Sequence, residues 1–173
     1  MAGYIFTVVT PDAEEVKEGP SPEALATENS RLKAVAAAEI TDGVIICADT
    51  VVALGEKILG KPENEECAKE MLRTLSGNTH AVITGYTVTD GKKFISGHVK
   101  TNVTMRPIHK DEIESYVTLC SPLDKAGAYG IQEAAGMFVS GISGDYYNVV
   151  GLPISKISEI LRKDFDIRAF TNK

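Results

Sequence analysis

Between Val44 and Leu54 the chain is apolar on both faces, VIICA and then VVAL, broken only by Asp49 and Thr50. A strand apolar on both faces belongs inside a sheet that is covered on both sides, so this chain must lay helices over a sheet. The break is the first pointer to chemistry. A carboxylate inside an apolar strand is costly unless it is paired, hydrogen-bonded or bound to metal. The plainer reading is a structural aspartate at a strand end that accepts bonds from loop amides. On this residue alone the two readings stand level.

The flanking segments supply the covering layers. Tyr4–Thr10 (YIFTVVT) is β-branched and aromatic and reads as a short strand stopped by Pro11 and Asp12. Ser21-Pro22 reads as a helix cap with proline in the first turn, and Leu25, Leu32, Val35 and Ala36 as that helix's apolar side. A second helix is expected from about Glu63 to Leu75, with Cys67, Ala68, Met71, Leu72 and Leu75 at helical spacing and Ser76-Gly77 as its stop. His80–Thr89, the turn Asp90-Gly91 and Phe94–Met105 read as a β-hairpin. A short helix follows near Lys110–Leu119. Residues 121–145 are rich in Gly and Ala and read as loops with short strands. Leu152-Pro153 opens a last helix with Ile154, Ile157, Ile160 and Leu161 inward. With 173 residues, 43% of them hydrophobic, the chain has material for one sheet-based α/β domain, taken as residues 1–173.

Charge and cysteine usage exclude several classes. A net charge of −6 gives no general attraction to a phosphate backbone or an anionic membrane, and no basic stripe interleaves with aromatics. Nucleic acid and membrane are therefore not expected partners. Any phosphate must be held by a local cluster of bases. Cys47, Cys67 and Cys120 form no CxxC or zinc spacing, which points to buried thiols in a reducing compartment. No apolar run approaches the roughly 18–20 residues of a membrane span, and Met1–Thr10 lacks the layout of a signal peptide. The expected location is the cytoplasm.

Other polar residues stand out beside Asp49. Lys61, in ILGKP, is fixed between glycine and proline and can project as a point charge toward an anion, although an ordinary exposed turn lysine is the commoner case. Ser121–Gln132 (SPLDKAGAYGIQ) places Asp124 and Lys125 before small residues that let backbone approach a ligand, and Gln132 offers both a donor and an acceptor. A tight structural loop is the alternative. Gly144–Asn148 reads as a polar turn, and His80, His98 and His109 as structural or exposed. The signatures of serine hydrolases, P-loop proteins, zincins and dinucleotide-binding folds are absent.

The segments CADTVVALGEKILGKP, MLRTLSGNTHAVITG, DKAGAYGIQ and DYYNVVGLPISK resemble, in order and spacing, the Maf or septum-formation-inhibitor nucleotide pyrophosphatases, over about Phe6 to Ile167. The resemblance implies hydrolysis of nucleoside triphosphates to monophosphate and pyrophosphate, helped by Mg²⁺ or Mn²⁺. It implies an α/β fold similar to inosine triphosphatase, a mixed twisted sheet with flanking helices in two lobes around a cleft. Asp49 matches the family's catalytic base or metal-site aspartate, with Thr50 beside it. Lys33 and Lys61 match phosphate-contacting lysines, Glu15 the acidic residue that helps bind metal, and Gln132 a glutamine of the substrate pocket. Asp124, Lys125 and Tyr129 belong to the same motif without an assigned role. The ADT and DKAGAYGIQ versions look like the subfamily that prefers dTTP, UTP and related pyrimidine nucleotides. The resemblance also implies a homodimer.

Family members usually begin with a strand, an SxSPRR-like loop and a helix ahead of the stretch that starts here near Tyr4. The expectation is therefore a chain without that strand, phosphate loop and first helix, leaving an unpaired sheet edge or exposed apolar surface. A misassigned start is the favoured explanation, ahead of natural loss or of another chain filling the gap. The competing function is a catalytically impaired nucleotide-binding regulator linked to cell division.

Overall fold

The computed structural model describes residues 3–170. The α/β expectation holds. Helix α1 spans Pro22–Ala38, and its N-cap Ser21 accepts a hydrogen bond from the Ala24 amide at 3.1 Å. Strand β1 is Ile45–Leu54 and turns back into the short β2, Lys57–Leu59. Helix α2, Glu65–Leu75, starts two residues later than the sequence suggests, because Asn64 supplies the capping oxygen to the Cys67 amide. Strands β3, Thr79–Thr89, and β4, Phe94–Met105, form the long hairpin, followed by α3 at Lys110–Cys120. Three 3₁₀ turns lead to β5, Val139–Ser143, then the one-turn α4, Tyr146–Val150, and α5, Ile154–Asp164.

The sheet has the order β2-β1-β3-β4-β5, with every neighbouring pair antiparallel. The register sets Asp49 opposite Gly85 and Thr50 opposite Thr84. Strand β2 covers the outer edge of β1 only at Val52–Leu54. Ile45–Val51 pair with no strand on that side among the described residues. Strand β1 is thus not the interior strand that its two apolar faces suggest: over most of its length it is a sheet edge, and Asp49 and Thr50 sit on that open side.

Successive strand residues point to opposite faces, so the two faces of β3 meet different layers. Ile83 packs with Val51, Ala53 and α1's Leu25 and Ala26 on one face. On the other face Val52, Val82 and Val103 join Leu72, Leu75, Val117, Tyr129 and Phe138 from α2, α3 and the following turns. Further along that second face Tyr86 and Val88 meet Ile157, Ile160 and Leu161 of α5, as the last helix's spacing suggests. Asn148 of α4 is fully buried between these two clusters. No described helix is long and apolar enough to cross a membrane.

Two further sequence expectations are corrected. Tyr4–Thr10 is not a strand: no segment among the described residues offers it a ladder, and Ile5, Phe6 and Val8 stand exposed. Its β-branched composition alone does not make a strand. The inner face of α1 is not Leu32, Val35 and Ala36. Of the residues expected there only Leu25 is buried, and it is accompanied by Ala26, Asn29, Ser30, Ala34 and Ala37. The reason is close approach. A Cβ added at Gly85 would collide with the Ala26 carbonyl, so the helix lies directly on the strand and admits only small side chains. Ser30 Oγ reaches Thr87 Oγ1 at 3.0 Å across the same contact.

Candidate active site

The close seating of α1 brings Lys33 to the edge of β1. Its Nζ lies 2.7 Å from Asp49 Oδ1 and 3.0 Å from Glu15 Oε1, so one ammonium bridges two carboxylates. Asp49 keeps 14% of its side-chain surface and Lys33 24%, against 50% for Glu15. The pair therefore lies under partial cover, where charge interactions are stronger than on an open surface. Burial works to lower the pKa of Lys33, but the bonds and charges of Asp49 and Glu15 outweigh it and hold the ammonium above its ordinary value.

Asn29 organises this corner. Its Nδ2 donates to the Val16 carbonyl at 3.1 Å and to Asp49 Oδ2 at 3.3 Å, while its Oδ1 accepts from the Val16 amide at 2.9 Å. That pair of hydrogen bonds to the backbone straps the extended segment before α1 against the helix, and Glu15 is carried in with it. Both oxygens of Asp49 thus have fixed donors.

The opposite wall comes from the loop Asp124–Gln132. Its Gly127 amide donates to the Gly60 carbonyl at 3.0 Å, which ties the loop to the turn bearing Lys61. Gly127 has φ +69°, and its missing side chain leaves room against Val52. Lys125 Nζ is bridged to Asp124 at 3.0 Å and to Glu133 at 3.1 Å. Lys61 is exposed and makes no ion pair or hydrogen bond among the described residues. Lys125 and, more weakly, Lys61 hold the Asp124 carboxyl below its ordinary range, so Lys61 faces Asp124 without closing an ion pair on it.

These groups line one cavity of about 410 Å³ that wraps the open edge of β1. Lys33 and Asp49 come from the α1 side; Thr50, Lys61, Asp124, Lys125, Tyr129 and Gln132 come from the other. Glu15 is not in the lining and joins only through Lys33. Val52, Val82, Ile131, Val149 and Val150 give the cavity an apolar stretch beside its charged rim. Gln132 is exposed and Tyr129 is buried. The Tyr129 hydroxyl meets His80 Nε2 at 2.7 Å, and burial pushes its phenol well above the ordinary range.

Four polar residues that build this site are given no site role by the sequence. Asn29, Thr84 and Asn148 are buried donors and acceptors, and Glu133 shares Lys125 with Asp124. Asn29 is a polar side chain in an otherwise inward helical position, Thr84 and Asn148 lie in segments that carry the family resemblance, and nothing in the sequence marks Glu133.

Comparison with known proteins fits this geometry. The chain is 47% identical over 167 residues to a dTTP/UTP pyrophosphatase of Alkaliphilus metalliredigens, covering 94% of this chain and 86% of that one. It is 44% identical over 169 residues to a dTTP/UTP pyrophosphatase of Bacillus cereus, covering 96% and 88%. A protein of the same name from Thermosipho africanus is 45% identical over 156 residues, covering 90% and 81%. The family described as Maf-like protein matches residues 1–164. That span takes in every segment that walls the cavity, and the chain belongs to the Maf family.

Proposed function

We propose that this chain is a nucleoside triphosphate pyrophosphatase that hydrolyses dTTP, UTP and related non-canonical pyrimidine nucleotides to monophosphate and pyrophosphate. The observation that carries the reading is the Asp49–Lys33–Glu15 cluster on an open strand edge, facing Lys61, which closes no ion pair among the described residues, across one cavity. The names of the relatives support the choice of substrate.

The chemistry asks for an attacking water, a group to take its proton, and positive charge on the departing pyrophosphate. The water oxygen bonds to the α-phosphorus, the bond from that phosphorus to the bridging oxygen breaks, and pyrophosphate leaves with the electron pair. Asp49 takes the water's proton, with its carboxylate held in place by Lys33 and Asn29. Lys33 and Lys61 neutralise the phosphates. Gln132 and Thr50 contact the rest of the nucleotide, while Asp124, Lys125 and Tyr129 shape the wall.

The residues present fit a divalent cation shared with the substrate. Two carboxylates, Asp49 and Glu15, converge on one positive charge, and Mg²⁺ characteristically takes one or two carboxylates together with substrate phosphates. No group of three or more His, Cys, Asp or Glu side chains suited to a metal occurs among the described residues, so a cage made by protein alone is not what they form. Bound there, Mg²⁺ or Mn²⁺ would add electrostatic stabilisation of the phosphate charge. The cysteines are unbridged, which fits a cytoplasmic enzyme, although Cys47 and Cys67 are half-buried and Cys120 is exposed rather than buried as expected. A homodimer rests on the family resemblance, and light scattering decides it.

The test is pyrophosphate release from dTTP, UTP, CTP and GTP with Mg²⁺ or Mn²⁺, beside Asp49→Asn. Release from dTTP and UTP should fall by at least about 10²-fold in the variant. No release from a folded chain would remove the pyrophosphatase reading and leave nucleotide binding without catalysis.

A further inference from the structure

Thr50 and Thr84 face each other across β1 and β3 with their hydroxyl oxygens 2.9 Å apart. Either could be the donor from that distance alone. The surrounding bonds decide it. Thr84 Oγ1 donates its only hydrogen to the Asn148 carbonyl at 2.8 Å. Its contact with Thr50 must therefore be as acceptor, and Thr50 spends its own hydrogen on Thr84.

The rest of the chain of bonds is equally determined. Asn148 Oδ1 accepts from the Thr84 amide at 3.2 Å, and its Nδ2 donates to the Val82 carbonyl and to Thr101 Oγ1, both at 3.0 Å. Backbone groups on two sides fix which way that amide points. Thr101 Oγ1 also accepts from the Asp145 amide at 3.0 Å and donates to the Asp145 carbonyl at 3.1 Å. Thr84, Thr101 and Asn148 are each 0% exposed, so no water competes for these hydrogens. The network is saturated.

Thr50 carries the one hydroxyl of the network that lines the cavity. We infer that Thr50 meets the nucleotide only as a hydrogen-bond acceptor, and that buried Thr84 and Asn148 are positioning residues that set this polarity. Phosphate oxygens also only accept, so Thr50 does not bind phosphate. Its side chain points away from the face that carries Asp49, toward the stretch lined by Val52, Val82, Val149 and Val150. Gly151 passes there too: a Cβ on it would lie 3.4 Å from Thr50 Oγ1. The partner is thus an N–H or O–H of the nucleoside, either the ring imide of a thymine or uracil or a sugar hydroxyl. A cytosine, with a bare acceptor in place of the imide N–H, would face lone pair against lone pair.

This inference rests on the cavity being the nucleotide site, and the experiment separates the two. Binding of dTMP, its N3-methyl derivative and its 3′-deoxy derivative is measured by calorimetry, with melting temperatures to verify folding. None of the three can be cleaved at an α–β bond. The wild-type chain should bind the analogue lacking the donor about tenfold more weakly than dTMP, and which analogue it is identifies base or sugar. Thr50→Val, of the same shape, should weaken dTMP about tenfold and abolish the difference. Thr50→Ser should restore it. Thr84→Val, outside the cavity, frees the Thr50 hydrogen and should shrink the difference while the melt still shows a folded protein.

A difference that survives in Thr50→Val reflects bulk rather than a hydrogen bond, and it overturns the inference. So does failure of the folded wild-type chain to bind dTMP, or equal binding of all three ligands. Pyrophosphate release from dTTP on the same samples tests the pyrophosphatase reading separately. Binding differences without release sink the catalytic reading alone, and release without binding differences sinks this inference alone.

Discussion

His80 shows how much a single buried group can govern. It is 2% exposed, its Nε2 is engaged by Tyr129, and its Nδ1 has no partner among the described residues. Burial lowers its pKa to about 4, below the ordinary 6.5. The unfolded chain therefore binds a proton first. The stability from neutral His80 is complete above pH 6.5 and is lost progressively as pH falls through 4, by roughly 3 kcal/mol in all. Chemical denaturation between pH 7 and 4.5 should show this slope, and His80→Phe should flatten it; an unchanged slope would remove His80 as its source. Lys61 is the complementary case on the surface. Lys61→Ala should weaken pyrophosphate and dTTP by about tenfold while thymidine binding stays the same, and equal losses for all three would deny a phosphate contact. Asp49 and Lys61 are legible in the sequence because charge in an apolar strand or a fixed turn is visible in one segment. The roles of Asn29, Thr84 and Asn148 are not, since each acts only where separate stretches of chain meet.

Elements with local punctuation are legible nearly to the residue. Ser21-Pro22 marks the start of α1, and both ends of β4 fall where β-branched alternation begins and stops. The inner face of α1 escapes the pattern because apolar periodicity rewards large residues, whereas this contact is set by a glycine on the neighbouring strand. The strand β2 and helix α4 are too short to carry a pattern, and Tyr4–Thr10 has the composition of a strand without a partner. Gly85 offers the sharpest test at this scale. Gly85→Ala sets a methyl against the α1 backbone, which cannot swing aside as a side chain can. The helix must lift, at a cost of about 1–3 kcal/mol or more, and Lys33 must draw back from Asp49. Lower melting temperature with lower turnover is the expected pair of outcomes. Ala36→Ser, on a half-buried part of the same helix away from that contact, should change neither by much. If Gly85→Ala melts and turns over like wild type, the close seating of α1 does not hold the site together.

At the scale of the whole molecule, a chain of net charge −6 can still hold an anion because three of its lysines, Lys33, Lys61 and Lys125, line one cavity at one edge of the sheet. That edge is open, so the cavity draws one wall from α1 and the other from the Asp124–Gln132 loop, which otherwise sit on opposite faces of β1. A nucleotide bridging both walls, as proposed, would tie the two layers together, and binding to the folded state alone raises stability by mass action. At a ligand concentration of 100 times Kd the gain is about 2.7 kcal/mol, or a melting-temperature rise of roughly 5–10 °C for a chain of this length. dTMP with pyrophosphate should produce that rise, and hydrogen exchange should slow in both the Glu28–Ala34 part of α1 and the Asp124–Gln132 loop. Lys61→Ala should diminish the share due to pyrophosphate. Protection confined to one wall would mean that the ligand sits on one face of β1, and the joint action of Asp49 and Lys61 on one substrate would then fail with it.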